Sequence, residues 1–179
     1  MKLIVIDNFF KDLNKVYNHV KSIETFDSKN YHNDPGLDTS KIEWPGYRSQ
    51  QLHGKDEWLL KQFGESFKEH LSGLIKGEFL LNMFSHLRLD KDNATDFIHV
   101  DLPHTYSMLV YLSPTNLQSG TNLYNNDEEL INSVKFVQNR AVVFSSIYKH
   151  SAINNHGTNI ENGRLTLNIF MDEKKIVKQ

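Results

Sequence analysis

The 179-residue chain contains no cysteine, and this absence excludes disulfide bonds and thiolate metal sites. Its net charge is only −2 at pH 7, so no overall positive field favours nucleic acid as a partner. No apolar run approaches the length of a transmembrane helix, and the run Leu3–Ile6 is too short for a signal peptide. We therefore expect a cytoplasmic protein with no membrane partner.

The composition is that of a folded protein. Hydrophobic residues make up 39% and charged residues 23%, which fits a globular rather than a disordered chain. The length suffices for one domain with a substantial core and is short for two. Because no repeat, low-complexity segment or linker is visible, we predict one domain over residues 1–179. Residues 1–77 would give helical support, and residues 78–171 would form the core.

Two helices are predicted in the first part of the chain. Apolar residues recur at helical spacing over residues 12–24 and again over residues 56–75. Between them, residues 25–50 are polar and irregular, with Pro-Gly turn signals at 35–36 and 45–46. A loop of this length is often functional, for example as a lid over a site, although a solvated connector explains it equally well.

The later part of the chain shows the period of strands. We predict seven or eight short strands after residue 78, separated by turns. Residues 138–140 are expected to join strands 134–137 and 141–144 as a tight hairpin. Many short strands behind packing helices favour an all-β core with N-terminal helices, a barrel-like sandwich of the jelly-roll type. The open mouth of such a sandwich is a natural small-molecule site.

The segment 96–101 is predicted to be a strand that holds two metal-capable side chains. His99 and Asp101 are two residues apart, so in a strand they point to the same face. They would supply two thirds of a 2-His-1-carboxylate triad. The motif alone is weak, since chance supplies roughly 0.6 His-x-Asp pairs in this composition. A second pair, His32 and Asp34, lies in an Asn-Asp-Pro-Gly turn, where Asp34 is better explained as a turn residue.

A third metal ligand must come from later in the chain, and three histidines are candidates. His104 follows the first pair too closely to close the site easily from another strand. His156 lies in an Asn-Asn-His-Gly run that is typical of a loop tip. His150 follows the apolar run 141–144 at the end of a predicted strand, and we predict it as the third ligand. A hydrogen-bonded structural histidine is the alternative.

The last predicted strand, residues 164–171, alternates strictly between apolar and polar residues. Arg164, Thr166 and Asn168 share one face. An arginine and a threonine on one strand face can hold a carboxylate, with the arginine as a bidentate fork. A solvated outer face is the alternative, and it would be preferred for a lone Arg-x-Thr. Because this pair follows His150 by fourteen residues in an all-β context, we predict a functional role.

Together these residues resemble a known family. His99-x-Asp101, then His150, then Arg164-x-Thr166 are similar to the pattern of the iron(II)/2-oxoglutarate-dependent oxygenases. That pattern is His-x-Asp/Glu, a distal His, and an Arg or Lys that Ser or Thr follows two residues later in some branches.

The resemblance covers residues 80–171 and is strongest to the prolyl-4-hydroxylase-like branch. Three further runs resemble landmarks of that branch: Val110-Tyr111-Leu112-Ser113, Ser119-Gly120-Thr121 and Arg140-Ala141-Val142-Val143-Phe144. The run Pro-Gly-Tyr-Arg-Ser at 45–49 is similar to small phage and marine-microbial members. If a phage encodes the chain, its location would be the host cytoplasm.

The resemblance implies a double-stranded β-helix, the jelly roll that the strand pattern favours by itself. It also implies that Fe(II) is held by His99, Asp101 and His150, which would make these the catalytic residues. Two imidazoles and one carboxylate leave three coordination positions, enough for a bidentate co-substrate and O2.

The implied co-substrate is 2-oxoglutarate. Its far carboxylate would pair with Arg164, assisted by Thr166, and Tyr111 lies where prolyl-hydroxylase-like enzymes place a tyrosine that contacts the same carboxylate. Arg88 or Asn82, on the preceding strand, could line the pocket.

The implied activity is that of a dioxygenase that hydroxylates a C–H bond and releases succinate and CO2. A protein or a small molecule could be the substrate, and a peptidyl proline or another amino-acid residue is favoured. Two other functions stay open. One is a cupin-like metalloenzyme that does not use 2-oxoglutarate, and the other is a non-catalytic jelly roll that binds a ligand.

Overall fold

The computed structural model describes residues 3–31 and 44–174, and these contain two α-helices and ten strands. The elements in chain order are β1 (Leu3–Ile6), α1 (Leu13–Lys21), β2 (Thr25–Phe26), β3 (Tyr47–Ser49), α2 (Glu57–His70), β4 (Phe79–Arg88), β5 (Tyr106–Tyr111), β6 (Asn116–Tyr124), β7 (Leu130–Phe136), β8 (Ala141–Ser145), β9 (Lys149–Ile153) and β10 (Arg164–Glu173). None of the helices in these residues is long and apolar enough to span a membrane.

Both predicted helices are present, and an aspartate begins each. Asp12 accepts a hydrogen bond from the Lys15 amide at 3.4 Å, and Asp56 accepts one from the Leu59 amide at 3.0 Å. Such caps satisfy amides that have no partner inside the helix. Helix α2 ends at His70, five residues before its predicted end, and the chain continues as turns in which Leu71 and Ile75 remain buried.

The strands form two sheets. The larger has the order β1-β8-β5-β10-β4-β3-β2, and the smaller has the order β7-β6-β9. The predicted jelly roll is therefore confirmed, with seven strands after residue 78. The first part of the chain adds three short strands to the edges of the larger sheet. Two of them, β2 and β3, lie in the region predicted as irregular, because strands of two or three residues are too short to show alternation.

Two layers of apolar side chains organise the fold. One packs the helices against the outer face of the larger sheet; its members include Val16, Val20, Leu59, Phe63, Leu165, Leu167 and Ile169. The other lies between the sheets and comprises Tyr111, Leu123, Val134, Phe136, Val142 and Phe144. Strand β10 contributes apolar residues to the first layer only. As its predicted alternation requires, its leucines face the helices while Arg164 and Asn168 face the cavity between the sheets.

The predicted strand 96–101 is wrong in detail. The segment is extended, but it pairs with β9 through a single antiparallel bridge between His99 and His150. The two amide–carbonyl hydrogen bonds of that bridge are 3.0 and 2.8 Å long. A regular strand does not form because Phe97 and Val100 remain exposed, so no apolar face holds the segment down. It nevertheless lies beside β9 as an additional edge of the smaller sheet.

The predicted hairpin at residues 138–140 is also wrong. Strand β7 pairs with β6 in the smaller sheet, whereas β8 pairs with β1 and β5 in the larger. The turn therefore carries the chain from one sheet to the other. The chain changes sheets here because Val134 and Phe136 of β7, like Val142 of β8, bury their side chains in the layer between the sheets. Two strands that meet face to face across this layer cannot also be hydrogen-bonded neighbours.

The loop predicted over residues 25–50 is only partly described. Its residues 32–43, which include His32 and Asp34 of the second His-x-Asp pair, lie outside the described residues.

Candidate active site

Three side chains with metal-binding atoms converge between the sheets. His99 comes from the extended segment, Asp101 follows two residues later, and His150 lies on β9; one ligand atom from each lies within 4.8 Å of the others. The Nε2 of His99 is 3.7 Å from Asp101 Oδ1, and the Nε2 of His150 is 3.2 Å from Asp101 Oδ2. We call these residues the ligand trio. Their spacing suits one metal ion bound by two imidazoles and a carboxylate.

Backbone carbonyls orient both imidazoles of the trio. His99 Nδ1 lies 3.1 Å from the Phe97 carbonyl, and His150 Nδ1 lies 3.2 Å from the Tyr148 carbonyl. When Nδ1 carries the proton and donates it to the carbonyl, Nε2 presents its lone pair to the centre of the site. Burial, reinforced by the neighbouring charge of His150, lowers the pKa of His99 below its usual value. The neutral ring is the form that binds a metal.

Asp101 is held as a carboxylate. Burial alone would raise its pKa, but hydrogen bonds from His150 and Ser107 and the charge of His150 outweigh burial and bring the pKa to about 2. The Ser107 hydroxyl donates to Asp101 Oδ2 at 2.7 Å, and it also lies 2.7 Å from the Ser146 hydroxyl. The Asp101 amide donates to the Ser146 carbonyl at 3.1 Å. The carboxylate ligand of the trio is therefore ionised and fixed at neutral pH.

The trio opens onto a cavity that three arginines line: Arg48, Arg88 and Arg164. Arg88 has a counter-ion, since its Nη1 lies 2.8 Å from Asp96 Oδ2 and both side chains are largely buried. Neither Arg48 nor Arg164 has a carboxylate of the described residues within the 4.0 Å of a salt bridge. Two unneutralised cations therefore face the same space as the candidate metal ligands.

Arg164 lies at the start of β10 and is 3% exposed. Its Nη2 donates to the Gly120 carbonyl at 3.2 Å, while its Nε has no partner among the described residues. Its guanidinium carbon lies 5.7 Å from the centre of the Tyr111 ring and 5.5 Å from that of Phe136. Burial, and after it the charge of Arg88, lowers its pKa to about 10, so it remains protonated at neutral pH. Such a cation suits a carboxylate ligand.

The other two predicted co-substrate residues lie behind the cavity wall. Thr166 is fully buried and donates to Asn168 Oδ1 at 2.7 Å. Tyr111 donates to Thr121 Oγ1 at 2.8 Å and stacks on Phe136 with ring centres 4.3 Å apart. Among the described residues that line the cavity, Thr121 and Asn168 are present and Thr166 and Tyr111 are not.

The remaining candidate site residues differ in whether they lie at the cavity. Arg88 lines the cavity, whereas Asn82 is not among the described residues that do so. His104 lies away from the trio, where its Nδ1 is 2.9 Å from Asp172 and its ring stacks on Phe170. His156 packs its ring edge-on against Phe136.

Sequence reasoning missed three residues of the site. His86 lines the cavity and is fully buried, with Nε2 2.7 Å from the Pro45 carbonyl. Ser107 holds the carboxylate, and Arg48 supplies a cation from a region that the sequence predicts as irregular. The one available signal was the Pro-Gly turn at 45–46 followed by Tyr47, Arg48 and Ser49, which is typical of a turn that leads into a short strand.

Comparison with solved structures identifies the architecture. A prolyl hydroxylase from Trichoplax adhaerens, in complex with a hypoxia inducible factor peptide fragment, superposes with a TM-score of 0.65 at 13% identity over 99% of this chain and 87% of that one. A Pseudomonas putida prolyl-4-hydroxylase gives 0.63 at 14% identity over 96% and 92% of the chains. HygX from Streptomyces hygroscopicus, with nickel and 2-oxoglutarate bound, gives 0.64 at 12% identity over 97% and 83%.

At the level of sequence, no family model and no curated protein matches the chain. The structural likeness extends over almost the whole chain, and it includes two prolyl hydroxylases and a protein with nickel and 2-oxoglutarate bound. The chain therefore has the fold of the 2-oxoglutarate- and iron(II)-dependent oxygenases, in its prolyl-4-hydroxylase-like form, as the resemblance of its sequence motifs implies.

Proposed function

We propose that residues 1–179 form one Fe(II)- and 2-oxoglutarate-dependent dioxygenase domain that hydroxylates a C–H bond of an amino-acid residue or a related small molecule. One observation carries this proposal: the ligand trio shares its cavity with Arg164, a buried cation that has no counter-ion among the described residues. The trio supplies the donor set of a facial triad. Arg164 supplies the partner that a dicarboxylate needs at its far end.

The residues of the chain have separable roles in this proposal. His99, Asp101 and His150 would hold Fe(II), and Arg164 would bind the far carboxylate of 2-oxoglutarate. When bound, the metal and co-substrate supply the oxidation of a C–H bond by O2, with release of succinate and CO2.

The surroundings of Arg164 fix its position. The Gly120 carbonyl and the stacked rings of Tyr111 and Phe136 restrict the guanidinium. Tyr111 and Thr166 lie behind the cavity wall and would act on the co-substrate indirectly. Tyr111 would act through its hydrogen bond to Thr121, and Thr166 through its hydrogen bond to Asn168. Burial of this end of the cavity keeps water away from the ion pair, which strengthens it.

The nature of the substrate is a finer proposal. The Trichoplax adhaerens enzyme was solved with a peptide fragment, which supports a peptidyl substrate for a protein of this fold. HygX was solved with nickel and 2-oxoglutarate, which supports the use of the same co-substrate.

Anaerobic titration with Fe(II) and 2-oxoglutarate tests the proposal. We expect a weak visible metal-to-ligand charge-transfer band in the wild type. In Arg164→Ala the loss of a buried charge pair should cost about 2 kcal/mol or more, so 2-oxoglutarate should bind at least about 30-fold more weakly.

Arg140→Ala is the matched control. Arg140 also pairs a guanidinium with an acid, but its partner Asp7 lies on the surface, with 2.6 Å between Nε and Oδ1. Its removal should leave the band unchanged. A metal-loaded wild type without the band would refute the use of 2-oxoglutarate and favour a cupin-like enzyme. Failure to bind a metal at all would favour a non-catalytic binding protein.

A further inference from the structure

Arg48 is a second cation that enters the cavity without a counter-ion. It lies on β3, opposite His86 of β4. Its guanidinium carbon is 4.6 Å from the centre of the Trp44 ring and 4.9 Å from that of Phe84. No carboxylate of residues 3–31 and 44–174 lies within 4.0 Å of it, and its Nε is enclosed without a hydrogen-bond partner among these residues.

The two rings hold the guanidinium but do not neutralise it. A ring attracts a cation through its quadrupole and carries no opposite charge. Burial, and after it the charge of Arg88, lowers the pKa of Arg48 to about 9, so the side chain is protonated at neutral pH. Rings that contact the guanidinium also restrict its rotation, which prepares its N–H groups for planar, bidentate recognition of an oxyanion.

Comparison with the other arginines shows that Arg48 is not a simple brace. The chain has four arginines. Arg88 pairs with Asp96, and Arg140 pairs with Asp7 and also donates to the Lys135 carbonyl. An arginine that only held β3 in place would be expected to make comparable hydrogen bonds, but the side chain of Arg48 makes none within the described part of the chain.

The charges in the cavity lead to the same conclusion. Three arginines face it, against the carboxylates of Asp101 and Asp96. A divalent metal at the trio would be balanced by Asp101 and by one carboxylate of 2-oxoglutarate. The other carboxylate would neutralise Arg164, and Asp96 neutralises Arg88. The positive charge of Arg48 would then remain, and an unpaired charge in an enclosed site is costly.

We propose that Arg48 anchors an oxyanion group, a carboxylate or a phosphate, of the primary substrate. This inference rests on the proposed function of the cavity and narrows its substrate class. The substrate would be a small organic acid, a free amino acid or a phosphate ester, or a residue with such a group near the oxidised carbon, instead of a neutral peptidyl side chain.

Trp44 gives a direct readout of binding at Arg48. The chain has two tryptophans, and the other, Trp58, lies on α2 and is 38% exposed. In a Trp58→Phe background Trp44 is the sole tryptophan, so emission excited selectively from tryptophan reports on it, and it contacts the guanidinium of Arg48. The protein is loaded anaerobically with Mn(II) and saturating 2-oxoglutarate. Acetate and inorganic phosphate are then titrated separately, with acetamide as the neutral analogue of acetate.

We expect a saturable change of Trp44 emission with acetate or phosphate and none with acetamide. Arg48→Gln should weaken this anion binding at least about tenfold, and Arg48→Lys, which keeps the charge but not the fork, should give an intermediate affinity. Arg140→Gln, which removes a guanidinium that pairs with Asp7 at the surface, should retain the response. Tighter binding of acetate would point to a carboxylate source, and tighter binding of phosphate to a phosphate ester.

Two results would overturn the inference. One is an anion response that is the same in Arg48→Gln and in the parent. The other is loss of the Fe(II)–2-oxoglutarate band in Arg48→Gln together with its retention in Arg164→Gln, because Arg48 would then be the co-substrate anchor. If the wild type itself shows no Fe(II)–2-oxoglutarate band, the proposed function fails. An Arg48-dependent anion response would still support the anion site.

Discussion

At the scale of single residues, the hydroxyl of Ser107 orients a ligand of the candidate metal centre although it is not itself a candidate ligand. Ser107 donates to Asp101 Oδ2, the same oxygen that faces His150 Nε2. It therefore sets the orientation of the carboxylate relative to the imidazole. The Ser107 hydroxyl also lies 2.7 Å from the hydroxyl of Ser146, the residue that follows β8 of the larger sheet.

Ser107→Ala should weaken metal binding by about 10- to 100-fold, the usual effect of removing a partner that orients a ligand. The fold should persist, because only one hydroxyl is lost. Calorimetric titration with Mn(II) would measure the change. Ser119→Ala is the matched control, since this serine is equally buried but donates to the Ile153 carbonyl, away from the trio. Equal affinity of the two variants would show that Ser107 has no positioning role.

Apart from His150, the site residues that sequence alone could predict are those related by local geometry. His99 and Asp101 are two residues apart in extended backbone, and Arg164, Thr166 and Asn168 follow the period of one strand. Ser107 and Arg48 carry no such signal. Ser107 reaches Asp101 because β5 pairs with β8 and β10, and Arg48 reaches the cavity because β3 pairs with β4. These pairings join distant parts of the chain.

Strand β6 is the element that connects the smaller sheet to Arg164. Gly120 lies where β6 changes register against β7, and a Cβ there would come within 2.2 Å of the Val134 carbonyl oxygen. The carbonyl of the same glycine accepts the hydrogen bond from Arg164. The glycine therefore allows the close approach of two strands that also positions the cation.

Gly120→Ala should destabilise the protein by about 1–3 kcal/mol, the range for overpacking a tight site. Gly64→Ala is the control, and its effect on the free energy of unfolding should have the opposite sign. Gly64 is exposed on α2 with nothing within 4 Å of a Cβ, so alanine should stabilise the helix by about 0.5–1 kcal/mol. Urea unfolding of both variants measures these changes. A neutral Gly120→Ala would show that β6 and β7 can separate without loss.

The elements differ in how well the sequence predicts them. Helices α1 and α2 have a long apolar period and an aspartate at each N-cap, so both are predicted correctly. The segment 96–101 and the turn 138–140 are not, because an alternating pattern shows that the backbone is extended but not which strand it joins. The sequence of strand β7 is equally compatible with a hairpin to β8 and with its actual pairing with β6.

Across the whole molecule, the charged cavity lies between two apolar layers, and buried histidines couple its chemistry to stability. His86 is enclosed on β4, with Arg48 and Arg88 nearby. Burial, and after it these two positive charges, lowers the pKa of His86 well below its usual value. Burial lowers the pKa of His99 in the same direction. Both rings are therefore neutral in the folded protein at pH values where the unfolded chain would bind protons.

This arrangement predicts a metal-free protein that loses stability on mild acidification. Above about pH 6.5, the usual histidine pKa, both states are unprotonated and stability is complete. Below it only the unfolded state takes up these protons, so the free energy of unfolding should fall by up to about 1.4 kcal/mol per pH unit for each histidine. The carboxylate of Asp101, with its pKa at about 2, contributes a similar loss only below about pH 4.

Urea unfolding at intervals from pH 7.5 to pH 5.0 therefore isolates the histidine effect. His86→Gln should have lower stability at pH 7.5, because it loses the partner of the Pro45 carbonyl, but a flatter dependence on pH. The exposed His53→Gln removes one histidine from the surface and serves as the control. A wild type whose stability is constant over this range, or a His86→Gln variant with the wild-type slope, would show that the buried ring takes up its proton without unfolding. The cavity would then have to hold one more positive charge than its two unpaired arginines already give it, which would strengthen the need for an anionic substrate.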